Sequence, residues 1–211
     1  GMSNGSAVNQ FVIGSAVSAT PITGYSLYVS NDNGVTNAYT VNAASVATAT
    51  RLIESSGAGS YQLTFDFKLG GESSFDYLKV FVVDADTSYN GGTELSYFAT
   101  NSYSNGAVLY GGNNNASATS PYFSNPSNPT TVISDTVTIP YLGEAGTAKK
   151  LIFVWRNDAS GGTQSPVSID NISISEIACT TPTSVAVSQI STDQATISWT
   201  AGSSDTDWRI Y

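Results

Sequence analysis

The chain has no histidine and a single cysteine in 211 residues. Without imidazole, Ser-His-Asp and Cys-His nucleophile activation are excluded, as is zinc catalysis on histidine ligands. Cys179 stands alone, so it can form neither an intrachain disulfide nor a cysteine metal cluster, and it reads as an unreactive residue at a domain junction. Cations are scarce too: seven Lys and Arg face sixteen Asp and Glu, for a net charge of -9. Nucleic acid and anionic membrane surfaces need clustered cations, so neither is an expected partner. No apolar run approaches the roughly 20 residues that cross a bilayer, and no secretory signal is visible, so membrane insertion is not expected. Gly1-Met2 has the look of a cloning remnant, which leaves room for an export signal in the natural chain. The catalytic chemistry still open is a carboxylate pair.

What is present is rich in Ser, Thr, Asn, Gly and Tyr, a composition suited to an exported β-protein. The strongest pattern lies at residues 61–84. Tyr61, Leu63, Phe65 and Phe67 alternate with Gln62, Thr64, Asp66 and Lys68, the period of a strand with one buried face. Gly70 and Gly71 break the pattern, and residues 77–83 resume it with apolar side chains on both sides. A hairpin-like pair is expected, its second strand nearer the centre of a sheet. Residues 150–156, KLIFVWR, are apolar on both faces and therefore central as well. The expected core includes Leu63, Phe65, Phe67, Leu78, Val80, Val82 and Phe153. Other strands are expected at 9–13, 25–30, 43–54, 95–100, 131–140 and 167–177. The run at 43–54 has helix-compatible composition but no sustained 3.6 period, so it reads as strand. From 84 to 129 the chain is low in charge, with a loop centred on 111–115.

Two local features bear on chemistry. Ser30-Asn31-Asp32-Asn33-Gly34 fits a tight turn and could also present oxygens to calcium. In 167–177 the alternation slips: Val167 and Ile169 share one parity, Ile172 and Ile174 the other. Such a slip implies a β-bulge at Asp170-Asn171 that re-aims the Asp170 carboxylate. After Cys179 the composition resets, dividing the chain into domains 1–178 and 179–211. A TTPT linker leads into strands at 184–190 and 194–200, with Val185, Val187, Ile190, Ala195, Ile197 and Trp199 inward and Trp208 and Ile210 opening a third strand.

Four stretches, LYVSNDNGVTNAYT, YQLTFDFKLGGESSFDYLKVFVVD, KKLIFVWRND and VSIDNISISE, together resemble the jelly-roll modules of the MAM, cleaved-adhesin and choice-of-anchor type from secreted Bacteroidetes proteins. Residues 181–211 are similar to the opening of a fibronectin type III domain, about a third of the roughly 100 residues such a sandwich needs. The resemblance implies an all-β fold: a two-sheet antiparallel jelly-roll sandwich followed by a truncated fibronectin type III-like piece. It implies adhesion or glycan binding at the cell surface or in the secreted state, often with structural calcium. Carried over residue by residue, it points to Asp170 as an ion ligand and less directly to Asp32. Glu72 and Asp76 join them as metal candidates from local chemistry alone.

Three functional readings stay open. In the first the chain is a non-catalytic module for a glycan or a cell-surface protein, using the aromatic faces of its 12 Tyr and its many Asn. The second is a glycoside-active enzyme in which Asp66, Glu72, Asp76 or Asp84 supplies an acid and a base or nucleophile about 5 to 9.5 Å apart. The third is a structural spacer with no ligand. Two strands and the start of a third leave an apolar face uncovered, to be covered by the preceding jelly roll or by the same segment of a second copy in a homodimer, the latter being the favoured expectation.

Overall fold

The computed structural model describes residues 1–3, 7–57, 60–72, 75–88, 106–110, 130–139, 142–177 and 182–201. They form two compact units, Gly1–Ser175 and Glu176–Tyr211. Among the described residues the regular structure is strand throughout: β1 (Met2–Ser3), β2 (Gln10–Gly14), β3 (Ser26–Ser30), β4 (Ser45–Glu54), β5 (Tyr61–Lys68), β6 (Tyr77–Asp84), β7 (Gly106–Tyr110), β8 (Ile133–Ile139), β9 (Ala148–Asn157), β10 (Ser168–Glu176), β11 (Thr183–Ser188) and β12 (Thr196–Thr200). The expected strand at 95–100, the loop at 111–115, Cys179 and the third C-terminal strand opened by Trp208 and Ile210 lie outside the described residues.

The first unit is a jelly roll. β3 lies beside β10, β4 beside β9, β5 beside β8 and β6 beside β7, four nested antiparallel pairs. Folding them over one another gives two sheets, ordered β1-β4-β9-β6-β7 and β2-β3-β10-β5-β8, and apart from β2–β3 and β6–β7 consecutive strands lie in opposite sheets. Leu63, Phe65, Phe67, Leu78, Val80, Val82 and Phe153 meet between the sheets in one cluster with Trp155, Leu151 and Ile169. The Phe65 ring contacts Phe67 and Phe153, with centroids 5.5 and 5.8 Å apart. Full burial of side chains of this size stabilises the fold by about 1.5–3 kcal/mol each.

The two doubly apolar strands are indeed inner strands of one sheet, and both their faces are buried. Phe81, Val83, Ile152 and Val154 point away from the main core and form a second cluster with Val46. The expected hairpin of residues 61–84, however, does not form. β5 pairs with β8, and β6 pairs with β9 and β7, so Lys68 ends in one sheet and Tyr77 begins in the other. Both strands must bring an apolar face to one core, and sheets that pack face to face stand about 10 Å apart, a gap this connection spans.

The alternation slip in β10 is resolved at Asn171, which adopts φ 50. One residue in the left-handed region takes up the extra position, so Ile169 and Ile174 both face the main core despite their opposite parity. In the second unit β11 and β12 form an antiparallel pair, Val187 opposite Ile197. Val185, Val187, Ile190 and Ile197 are all exposed.

Candidate functional site

The outward face of the second sheet is built by the polar half of the β5 alternation. Three cross-strand rungs join it to β8: Gln62 with Thr138, Thr64 with Thr136, and Asp66 with Ser134. The side chains of Ser134, Thr136 and Thr138 are exposed, while Leu63, Phe65 and Phe67 fill the opposite face. At the end of the ladder the Asp66 carboxylate accepts from the Ser134 hydroxyl and, at 2.6 Å, from Asn171 Nδ2. The bulge therefore turns an amide onto this face, and that amide also reaches the Pro21 carbonyl at 3.4 Å. The result is a flat row of hydroxyls, amides and one carboxylate.

A second polar cluster lies at one end of the sandwich, where residues 69–76 and 158–166 are tied by Gly71 and Thr163, which exchange backbone hydrogen bonds. Asp76 is 1% exposed. Its Oδ2 accepts from the Tyr39 hydroxyl and the Glu72 amide, each at 2.9 Å, and its Oδ1 accepts from the Asp158 amide at 3.1 Å. Burial pushes the Asp76 carboxyl above its ordinary value, against the lowering effect of these donors. Burial and the neighbouring Asp76 also raise the Tyr39 phenol, which stays protonated and donates. Gly161 and Gly162, at φ 69 and 105, let the backbone close over the cluster. A Cβ on Gly161 would overlap the Glu72 carboxylate, and one on Gly162 would overlap the Tyr39 hydroxyl. Glu72 Oε2 is buried with no hydrogen-bond partner among the described residues.

The four metal candidates thus fall in three places. Glu72 and Asp76 come together. Asp32 is held inside its own turn, accepting from the Ser30 hydroxyl at 2.6 Å and from the Thr36 amide and hydroxyl at 2.9 and 2.6 Å. These hydrogen bonds lower its carboxyl to about 2. Asp170 accepts from the Asn171 amide at 2.8 Å. Among the described residues no three Asp, Glu, Cys or His side chains stand together as a metal cage. Asp32 and Asp170 are held by separate sets of donors, whereas Glu72 retains an unsatisfied buried oxygen beside the buried Asp76 carboxylate. Of the carboxylates weighed for catalysis, Asp84 is paired with Lys149 on β9 and Asp66 is held by Ser134 and Asn171.

A concave apolar feature opens between the sheets, a cleft of about 540 Å³ lined by Leu27, Ile53, Leu151, Phe153, Ile172 and Ile174 among others. Sequence reasoning did not find this cleft, nor Tyr39 and the Gly161-Gly162 pair that complete the buried cluster. The double glycine was the one local signal for that cluster, since adjacent glycines in a short loop mark close backbone approach.

No protein-family profile and no curated protein matches the chain. Similar solved structures include the enzymatically active domain of tailspike protein 4 of bacteriophage CBA120, at 16% identity and a TM-score of 0.40. That match covers 82% of this chain, which spans 19% of the tailspike chain. A CBM4 structure matches at 11% identity and a TM-score of 0.34, over 72% of this chain and 69% of that one. At such values neither likeness carries a functional argument. The strand order itself defines the class, an antiparallel jelly-roll sandwich.

Proposed function

We propose that the first unit is a non-catalytic binding module whose ligand is a glycan, taken up on the outward face of β5, β8 and β10. The observation that carries this reading is the ladder Gln62/Thr138, Thr64/Thr136, Asp66/Ser134 ending on Asn171. Sugar hydroxyls both donate and accept, and a row of hydroxyl, amide and carboxylate groups complements them. The apolar cleft suits a sugar less, because its lining is mainly aliphatic. Catalysis by a carboxylate pair is disfavoured because Asp66, Asp76 and Asp84 are each held by separate partners. Secretion or surface display belongs to the same reading and rests on composition and on the resemblance.

The calcium implied by the resemblance is placed, as a proposal, at Glu72 and Asp76. Calcium takes six to eight oxygens, including backbone carbonyls and water, so two carboxylates can seed a site. A glycan array run with and without chelator tests both parts. Binding is expected for the parent chain and is lost in Asp66→Ala combined with Asn171→Ala. Binding that survives the double substitution moves the ligand off this face, and an array with no binder in either buffer leaves the spacer reading.

A further inference from the structure

Lys68 ends β5 on the outward side of the second sheet, yet it is only 7% exposed. An ammonium so placed is ordinarily matched by a carboxylate. Lys68 instead donates to an amide oxygen, Asn37 Oδ1, at 3.2 Å. Burial lowers the Lys68 ammonium below its ordinary value, which raises the share of neutral, nucleophilic amine.

The Asn37 amide is fixed from its other end. Its Nδ2 donates to the Val29 carbonyl at 3.0 Å and lies 3.4 and 3.5 Å from the carbonyls of Val167 and Pro166. The amide carbon Cγ is bonded to the same Oδ1 that Lys68 Nζ reaches at 3.2 Å, so a small rotation of the Lys68 side chain would bring the nitrogen onto it. The nitrogen that would depart lies among three carbonyl oxygens able to accept hydrogen bonds from ammonia.

We propose that Lys68 and Asn37 join in an intramolecular isopeptide bond. The neutral Lys68 nitrogen adds to Asn37 Cγ, the Cγ–Nδ2 bond breaks, and a proton from Nζ leaves with Nδ2 as ammonia. Nothing is oxidised or reduced, and no cofactor takes part. The bond ties the end of β5 to the loop between β3 and β4, and so straps β3, β10 and β5 in the order in which they lie. Closing the chain between residues 37 and 68 restrains the unfolded state as a disulfide does, by chemistry open to a protein with one cysteine. The inference stands apart from the glycan reading.

Mass spectrometry of the whole chain tests it. The folded protein is expected to be lighter than its sequence by one ammonia. Trypsin should then yield peptide 1–51 joined to 52–79, with cleavage after Lys68 blocked. The variant Lys68→Arg keeps the charge but lacks the nucleophilic amine, and should have full mass and no joined pair. Loss of ammonia is also the signature of succinimide at Asn-Gly, which occurs at Asn4, Asn33, Asn90 and Asn105. Ammonia loss traced to those sites, a joined pair that persists in Lys68→Arg, or free peptides cleaved after Lys68 in the parent chain would each overturn the proposal. The joined peptide is sought in the parent chain itself, so the outcome does not depend on the variant folding.

Discussion

Phe65 shows what one residue contributes. It is 1% exposed, and its ring touches Phe67 and Phe153 at the centre of the main cluster. Phe65→Ala removes that burial and leaves a cavity, so a loss of about 3–5 kcal/mol is expected in denaturant unfolding. A loss below about 1 kcal/mol would place the ring in solvent and invert the register of β5. Two aspartates set opposite pH dependences. Asp32 is lowered from 3.8 to about 2 by hydrogen bonds from Ser30 and Thr36, so the fold binds its proton less readily than the unfolded chain does. Its contribution is full above 3.8 and is lost as pH falls towards about 2. Asp76 is raised, mainly by burial, so its contribution is greatest below the ordinary carboxylate range and declines as pH rises through its folded value. Melting temperatures recorded between pH 4 and 2 should therefore fall less steeply in Asp32→Asn than in the parent chain. Equal slopes would remove the Asp32 turn as a source of acid sensitivity.

At the scale of elements, strands were legible where one face is apolar and the other polar, because that contrast fixes both type and register. β5 spans Tyr61–Lys68 as its alternation requires, and β4, with its mixed composition, is strand because nothing in it repeats at 3.6. The slip in β10 was legible for the same reason, since Ile169 and Ile174, of opposite parity, both pack on the main core. What alternation does not encode is which sheet a strand joins, and so β5 and β6, adjacent in sequence, read as a hairpin although they face each other across the core. The site was legible only in part. Glu72 and Asp76 were identifiable as neighbours, but Tyr39 and the double glycine reach them from distant positions that the topology alone brings together. If calcium binds there, it stabilises the folded state by mass action, about 2.7 kcal/mol at a hundredfold excess over Kd. Chelator should lower the melting temperature of the parent chain and of Asp170→Ala, and leave Glu72→Gln unchanged. A parent chain that melts identically in chelator and in calcium takes the ion out of the account.

For the whole molecule, the contrast between the two units matters most. The first packs its two sheets face to face around one main core. In the second, Val187 (56% exposed) stands opposite Ile197 (41% exposed) on one face, with Ala186, Ser188, Thr196, Ser198 and Thr200 on the other, and Val185 and Ile190 are exposed beside them. Among the described residues this sheet has two strands, and a two-stranded sheet is marginal in water. Two copies of such a face can pack on each other about a two-fold axis, each covering the valines and isoleucines of the other. The net charge of -9 works against association of the chain as a whole, but it is screened at moderate salt, whereas burial of the apolar face is not. Light scattering at micromolar concentration should therefore find the full chain heavier than a monomer, more so at higher salt, and a chain ending at Glu176 monomeric under the same conditions. Val187→Ser combined with Ile197→Ser should return the full chain to the monomer. If the full chain is already monomeric at every salt concentration, this face does not join two copies.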